Sequence, residues 1–281
     1  MVKHIKFKFN GVETNINPML ADLIKRGYEE TIKDDDFVVL IVGAERLGKS
    51  MLRNLIGGYW SYLAKTPFTV DNIHFNINDY MKKALKDKQY VFHSHDEARR
   101  DLNAKRGMSK PAVTFTNYFS ECGDNNQAHC IILPAYCDID KYIALWRAKL
   151  IIEVGKYRDR KTGKTHKGMF RIIKTTNRGQ LAEVHKKKYS KFPKRLIIGR
   201  GRFDINEIIP QEEYKAKKQR NKEAKYIEDE KKNNEISLTP RQIEVLSIIK
   251  PSNNFKKGHK DYEVLQKLSN SLRKWRLEKS V

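Results

Sequence analysis

The chain is short of acidic residues, of cysteine and of long apolar runs. Among 281 residues, 34 Asp and Glu stand against 57 Lys and Arg, a formal net charge of +23. An excess of that size points to a polyanionic partner, nucleic acid foremost. The alternative is that the charge only keeps a lysine-rich protein soluble. Cys122, Cys130 and Cys137 form no CxxC pair, so neither a disulfide framework nor a zinc ribbon is supported. That pattern fits a reducing cytoplasm. No run approaches the roughly 18 apolar residues of a membrane span, and Met1-Val2-Lys3-His4-Ile5-Lys6-Phe7 has no signal-peptide core. The expectation is a soluble, intracellular chain. Its 281 residues, 39 % hydrophobic, suffice for one large α/β domain and a small second one.

What is present starts at residue 43. Gly43-Ala44-Glu45-Arg46-Leu47-Gly48-Lys49-Ser50 matches the phosphate-binding pattern G-x-x-x-x-G-K-[ST] throughout. The run before it, Phe37-Val38-Val39-Leu40-Ile41-Val42, reads as a buried strand, and Met51-Leu52-Arg53-Asn54-Leu55-Ile56 continues as a helix. Gly43 and Gly48 let the backbone turn its N–H groups toward phosphate. The helix aims its positive end at the same place. Residues 43–51, Met51 included, are therefore expected to cradle ATP. Lys49 reaches the β- and γ-phosphates and Ser50 binds Mg²⁺.

Such a loop needs an acidic strand. Tyr90-Val91-Phe92-His93-Ser94-His95-Asp96-Glu97 is the best candidate. Asp96 would hold Mg²⁺ through water, and Glu97 would polarise the attacking water as general base. An Asp-Glu pair favours hydrolysis over transfer to a second substrate. The alternative is a strand end carrying two solvated acids. His93 and His95 share a face at spacing two. With no third ligand in view, a packed pair is the better reading than a metal site.

Apolar runs separated by helical spacing alternate through about residue 155. Strands are expected at 3–9, 69–75, 128–136 and 150–154, and helices at 18–33, 78–88, 114–126 and 139–148. This predicts an α/β fold, a mainly parallel sheet flanked by helices on both faces. Residues 105–111 read as a basic loop. Residues 155–174 read as a β-hairpin with a basic tip, in which Lys164 and Lys167 are candidates for nucleic-acid contact and a solvated hairpin is the alternative.

The first domain is placed at 1–210. Residues 211–236 carry little apolar content and read as an exposed helix or linker. The module 237–281 opens with the capping pattern Thr239-Pro240-Arg241-Gln242. Two later helical runs, the last one basic, look like a helix-turn-helix. Arg273, Lys274 and Arg276 are its candidate nucleic-acid contacts, and a small helical bundle for protein contacts is the alternative.

The order of phosphate loop, acidic pair, basic loop, helix and further strand resembles the P-loop ATPases of the FtsK/HerA superfamily, including Zot-like proteins of phages and mobile elements. The resemblance spans about residues 35–155. It implies ATP hydrolysis with Mg²⁺, a homo-oligomer such as a hexameric ring, and movement or remodelling of DNA for a virus, phage or plasmid. It also implies a trans-acting arginine, for which Arg147 is the first candidate and Arg106 the second, and a polar sensor, often Gln, at the end of the strand after the acidic one. This chain departs from that pattern, since the strand ends Leu133-Pro134-Ala135-Tyr136 and Gln127 precedes it. Two other functions stay open: an ATP-controlled DNA-binding switch, and a Zot-like assembly ATPase without a direct DNA role.

Overall fold

A computed structural model describes residues 4–96, 110–158, 162–188, 191–204 and 206–234. The chain divides into two compact units, Met1–Lys218 and Gln219–Val281. The first unit opens with a hairpin, β1 (Ile5–Phe9) and β2 (Val12–Ile16). Asn10 and Gly11 both take positive φ, 49° and 79°, as a tight two-residue hairpin turn requires. Helix α1 (Pro18–Ile32) follows. The Asn17 side chain caps it by accepting from the backbone N–H groups of Met19 and Leu20.

β3 (Phe37–Val42) is buried along its whole length. A continuous β-branched run of this kind suits a central parallel strand. Then come α2 (Lys49–Ala64), β4 (Ile73–His74), α3 (Ile77–Lys86), β5 (Phe92–His95), α4 (Lys110–Glu121) and β6 (Ala128–Leu133). β7 (Ala148–Arg158), β8 (Thr165–Ile173), α5 (Arg178–Lys187), β9 (Ile197–Arg202) and α6 (Gln211–Asn234) complete the described chain.

Among the described residues, seven strands form one sheet in the order β4-β5-β6-β3-β7-β8-β9. The pairs from β4 through β7 are parallel, while β8 and β9 add in antiparallel fashion. The expected α/β fold, with a mainly parallel sheet flanked by helices, is present. Alternate residues of β3 serve opposite layers. Val39 and Ile41 pack with Leu20 and Ile24 of α1 and Leu52, Ile56 and Trp60 of α2. Val38 and Leu40 pack with Tyr80 of α3, Phe115 of α4 and Leu181 of α5. Each such side chain contributes about 1.5–3 kcal/mol on burial, so this strand anchors both cores.

Local expectations shift in several places. The run at 69–75 is a 3-10 turn (Val70–Asn72) followed by the two-residue β4. A π turn (Ile143–Arg147) replaces the expected helix before β7. Lys110 and Pro111 belong to α4 rather than to a loop. The first unit runs to Lys218 rather than 210; beyond 210, Tyr214 is buried in its core.

Candidate functional site

The phosphate-pattern loop leaves the carboxyl end of β3 and turns into α2. Open α/β sheets carry their ligand crevice at this edge. Its backbone is specialised where the pattern requires glycine. Gly43 has φ 148°, and a Cβ there would lie 2.5 Å from the Val154 carbonyl oxygen. Gly48 has φ 94° and lies under the Phe203 ring, 3.3 Å from where a Cβ would sit. Gly48 is also the N-cap of α2 and supplies no capping side chain. The start of that helix therefore keeps its N–H groups directed at the loop. Gly43 N–H donates to the Leu133 carbonyl at 3.2 Å, which ties the loop to β6.

Ala44, Glu45 and Arg46 are exposed, and Leu47, Gly48, Lys49, Ser50 and Met51 are half-buried. Arg46 takes φ 61°. The Lys49 ammonium lies over the loop and donates to the carbonyl oxygens of Gly43 and Ala44, the latter at 2.8 Å.

Asp96 directly follows β5, and its N–H donates to the His74 carbonyl at 2.8 Å, continuing the strand ladder. Because β6 lies between β3 and β5, the loop strand and the acidic strand stand about 10 Å apart. The side chains close that gap. Ser50 Oγ donates to Asp96 Oδ2 at 3.2 Å. Arg53, one turn further along α2, donates from Nη1 to the same oxygen at 3.1 Å. Tyr214, on the first turn of α6, donates to it at 2.6 Å and stands 3.2 Å from Ser50 Oγ.

Asp96 is 3 % exposed and Arg53 0 %. Burial alone would raise the Asp96 pKa. The Arg53 charge, the Tyr214 hydroxyl, the Lys218 charge and the Ser50 hydroxyl more than offset it and hold the carboxyl below its usual value. Asp96 is thus an ionised carboxylate in a dry setting. The Tyr214 phenol is pushed the other way, to about 12, by burial and by the Asp96 charge. Arg53 is further held by Asn54 Oδ1, which accepts from Nε and Nη2 at 3.0 and 2.8 Å. Its guanidinium lies 5.0 Å from the Tyr214 ring centre. Ser50 and Asp96 offer a hydroxyl and a carboxylate, the hard oxygen donors that Mg²⁺ prefers.

Sequence reasoning missed Arg53 and Tyr214. Arg53 had a signal: three residues after Ser50, it shares that face of the helix. Tyr214 had none, being one aromatic in a run of charges.

Arg147 stands at the amino end of β7, the edge opposite the loop. Its Nη2 donates to Asp36 Oδ2 at 2.6 Å, so the structure does not bring it to residues 43–50 of its own chain. Gln127 is likewise at the far end of β6. Its Nε2 donates to the carbonyls of Ala84, Asp87 and Lys88, and it serves as a loop clamp. Lys164 and Lys167 are exposed on the β7–β8 hairpin, as expected. Glu97, Arg106, Arg273, Lys274, Arg276 and the module 237–281 lie outside the described residues.

His93 and His95 are both fully buried. His93 packs against His74 and His129, with ring centres 6.0 and 6.1 Å apart. Among the described residues, no group of three or more His, Cys, Asp or Glu is arranged to hold a metal ion. No helix among them is long and apolar enough to cross a membrane. Neither a protein-family model, nor a curated protein, nor a solved structure matches the chain.

Proposed function

We propose that this chain is an ATP-hydrolysing P-loop ATPase that acts on DNA, in the manner of the FtsK/HerA superfamily. The observation that carries the reading is the 3.2 Å approach of Ser50 Oγ, at the head of α2, to the ionised Asp96 at the end of β5. A phosphate loop and a buried carboxylate converge there at the carboxyl edge of the sheet.

The roles follow from position. The N–H groups of residues 43–49 orient the triphosphate, and Lys49 exchanges its loop carbonyls for β- and γ-phosphate oxygens. Ser50 and Asp96 are the residues that would hold Mg²⁺, which when bound supplies positive charge against the phosphate oxygens. Arg53 keeps Asp96 ionised and oriented. Glu97, next in the chain, is the proposed base for the attacking water.

A DNA partner is supported by charge and its placement. Within the strands β7, β8 and β9 the one acid is Glu153, and the sequence of the β7–β8 loop adds Asp159. Lys164, Lys167, Arg171, Arg200 and Arg202 are exposed in the same region. Arg171 and Arg200 are directly paired across β8 and β9. Like charges in register destabilise a sheet; Glu153, which accepts from Arg171 at 3.2 Å, offsets part of that repulsion, and a phosphate backbone would relieve the rest.

A second reading, an ATP-controlled switch rather than a motor, is favoured by the contact of Tyr214 with Asp96. Steady-state ATP turnover with and without DNA separates the two. A motor gives turnover stimulated several-fold by DNA and a ring-sized particle with ATP and DNA in light scattering. A switch gives slow turnover indifferent to DNA. Glu97→Gln should abolish turnover and retain ATP. Intact hydrolysis in that variant would refute the role assigned to Glu97.

A further inference from the structure

The segment after β9 is built onto the phosphate-loop helix. Phe203 covers Gly48, and Asn206 Nδ2 donates to the Met51 carbonyl at 3.1 Å. Ile208 fills the space a side chain at Gly58 would need, since a Cβ there would be 2.8 Å from its Cδ1. Gln211 Nε2 lies 3.5 Å from Met51 Sδ, and Lys217 Nζ donates to the Val70 carbonyl at 2.9 Å. Tyr214 lies in the middle of this run. Its hydroxyl is on Asp96 Oδ2, and its ring is between Arg53 and Phe75.

Asp96 Oδ2 therefore accepts from three donors at once, Ser50, Arg53 and Tyr214. A carboxylate oxygen has about two lone-pair sites, so this one is saturated. The Ser50 and Asp96 oxygens are also the pair that would hold Mg²⁺. The Tyr214 contact is the shortest of the three, a charge-assisted O–H···O⁻ bond. It is also the one whose donor lies on neither the phosphate loop nor its helix.

Resting on the nucleotide-site reading above, we propose that Tyr214 gates the metal half of the site. Its hydroxyl and Mg²⁺ compete for the Asp96 and Ser50 oxygens. With Mg²⁺ and nucleotide bound, the Tyr214 hydroxyl would have to leave these oxygens, and residues 203–204 and 206–217 would loosen from α2, so that the root of α6 reports whether the site is filled. Tyr214 is a positioning residue here, acting through Asp96.

The test uses the full chain, a non-hydrolysable ATP analogue as probe, and titration calorimetry with either Mg²⁺ or EDTA. Tyr214→Phe keeps the ring and removes the hydroxyl. It should tighten binding about tenfold with Mg²⁺, the scale of one charge-assisted hydrogen bond, and leave binding in EDTA unchanged. An equal effect in both conditions, or none, overturns the gate. Hydrogen exchange on the unmodified chain is an independent readout. Amides of 203–204 and 206–217 should exchange faster with Mg²⁺ and analogue than with analogue and EDTA. Slower or equal exchange overturns the gate while nucleotide binding stands. Failure of the unmodified chain to bind analogue in either condition overturns the nucleotide-site reading itself, and the gate with it.

Discussion

The Tyr80 hydroxyl lies 2.6 Å from Nδ1 of His129, in a fully buried layer between the sheet and helices α3 and α4. Burial holds the Tyr80 pKa well above its usual value. The phenol is therefore the donor, and His129 is the neutral acceptor. His129 itself and its neighbours His74 and His93 resist protonation. Burial lowers His93 to about 4 and His74 to about 2, and holds His129 well below its usual value. An unfolded chain binds these protons below about pH 6.5. The folded chain does so only far lower. Their stabilisation is complete above about pH 6.5, and each histidine loses about 1.4 kcal/mol per pH unit below it until its folded pKa is reached. Urea unfolding should show stability constant from pH 8 to 7 and falling steeply from 6.5 toward 5. His93→Leu should remove about a third of that slope. A flat profile between pH 7 and 5 would contradict the neutral-histidine layer.

Gly43 should be the least replaceable position of the loop. A Cβ there meets the Val154 carbonyl at 2.5 Å, a backbone atom that cannot swing aside, and φ is 148°. Gly48→Ala is strained as well, by φ 94°, but its Cβ meets only the Phe203 ring, at 3.3 Å, and no backbone atom. Strain of this kind costs on the order of 1–3 kcal/mol. Gly43→Ala should weaken binding of a fluorescent ATP analogue at least tenfold and lower the melting temperature. Gly48→Ala should reduce binding with a smaller loss of stability.

The loop could be read from the chain because its signal is local: a buried strand, a fixed eight-residue pattern and a helix, all contiguous. Asp96 was readable from the apolar start of its run, Tyr90-Val91-Phe92, although His93-Ser94-His95 carry little strand signal. What could not be read depends on distant parts of the chain. The place of β6 between β3 and β5 is set by crossovers, which leave no mark in any one segment. β9 was missed because Gly199 and Gly201 weaken its strand signal. Those glycines make room for the Met19 and Phe170 side chains, which would lie within 2.4 Å of a Cβ. Tyr214 has no signal in the chain because the residues around it are charged, and only the fold shows that its own side chain is buried among the exposed Glu212, Glu213 and Lys215.

The two roles open to Arg147 give opposite data. Its side chain is 21 % exposed and is bound to the buried Asp36. Burial, reinforced by Asp35, already raises the Asp36 pKa, and Arg147 opposes that rise. Arg147→Ala leaves a buried carboxylate unpaired, a change that costs about 3–5 kcal/mol. The expected result is a large loss in urea midpoint, with ATP turnover per folded molecule unchanged. A trans-acting arginine would instead lower turnover by about 10³-fold or more at unchanged stability. Double-mutant analysis with Asp36→Asn supplies the check. If the pair is structural, the second substitution recovers part of the lost stability, since the neutral amide no longer needs a cation.

The DNA reading makes a quantitative claim about β9. Each phosphate that the protein ceases to neutralise reduces the slope of log affinity against log salt by about 0.9 on duplex and about 0.7 on single strands. Arg200 and Arg202 are exposed on β9, and Arg200 stands opposite Arg171. If both arginines touch phosphate, Arg200→Gln with Arg202→Gln should lower the slope by about 1.4–1.8. The double variant should lose little or no stability, because Arg171 keeps its ion pair with Glu153 while the like charge opposite it is removed. The matched control is Lys82→Gln with Lys86→Gln on α3, where both lysines are exposed. It removes the same net charge from the other side of the sheet order. Fluorescence anisotropy of a labelled oligonucleotide between about 50 and 200 mM salt covers the range in which such slopes are resolved. If the two double variants change the slope equally, binding follows net charge alone and the β8–β9 face has no special part in it. If only the β9 variant changes it, the arginine register across β8 and β9 marks where the strand lies.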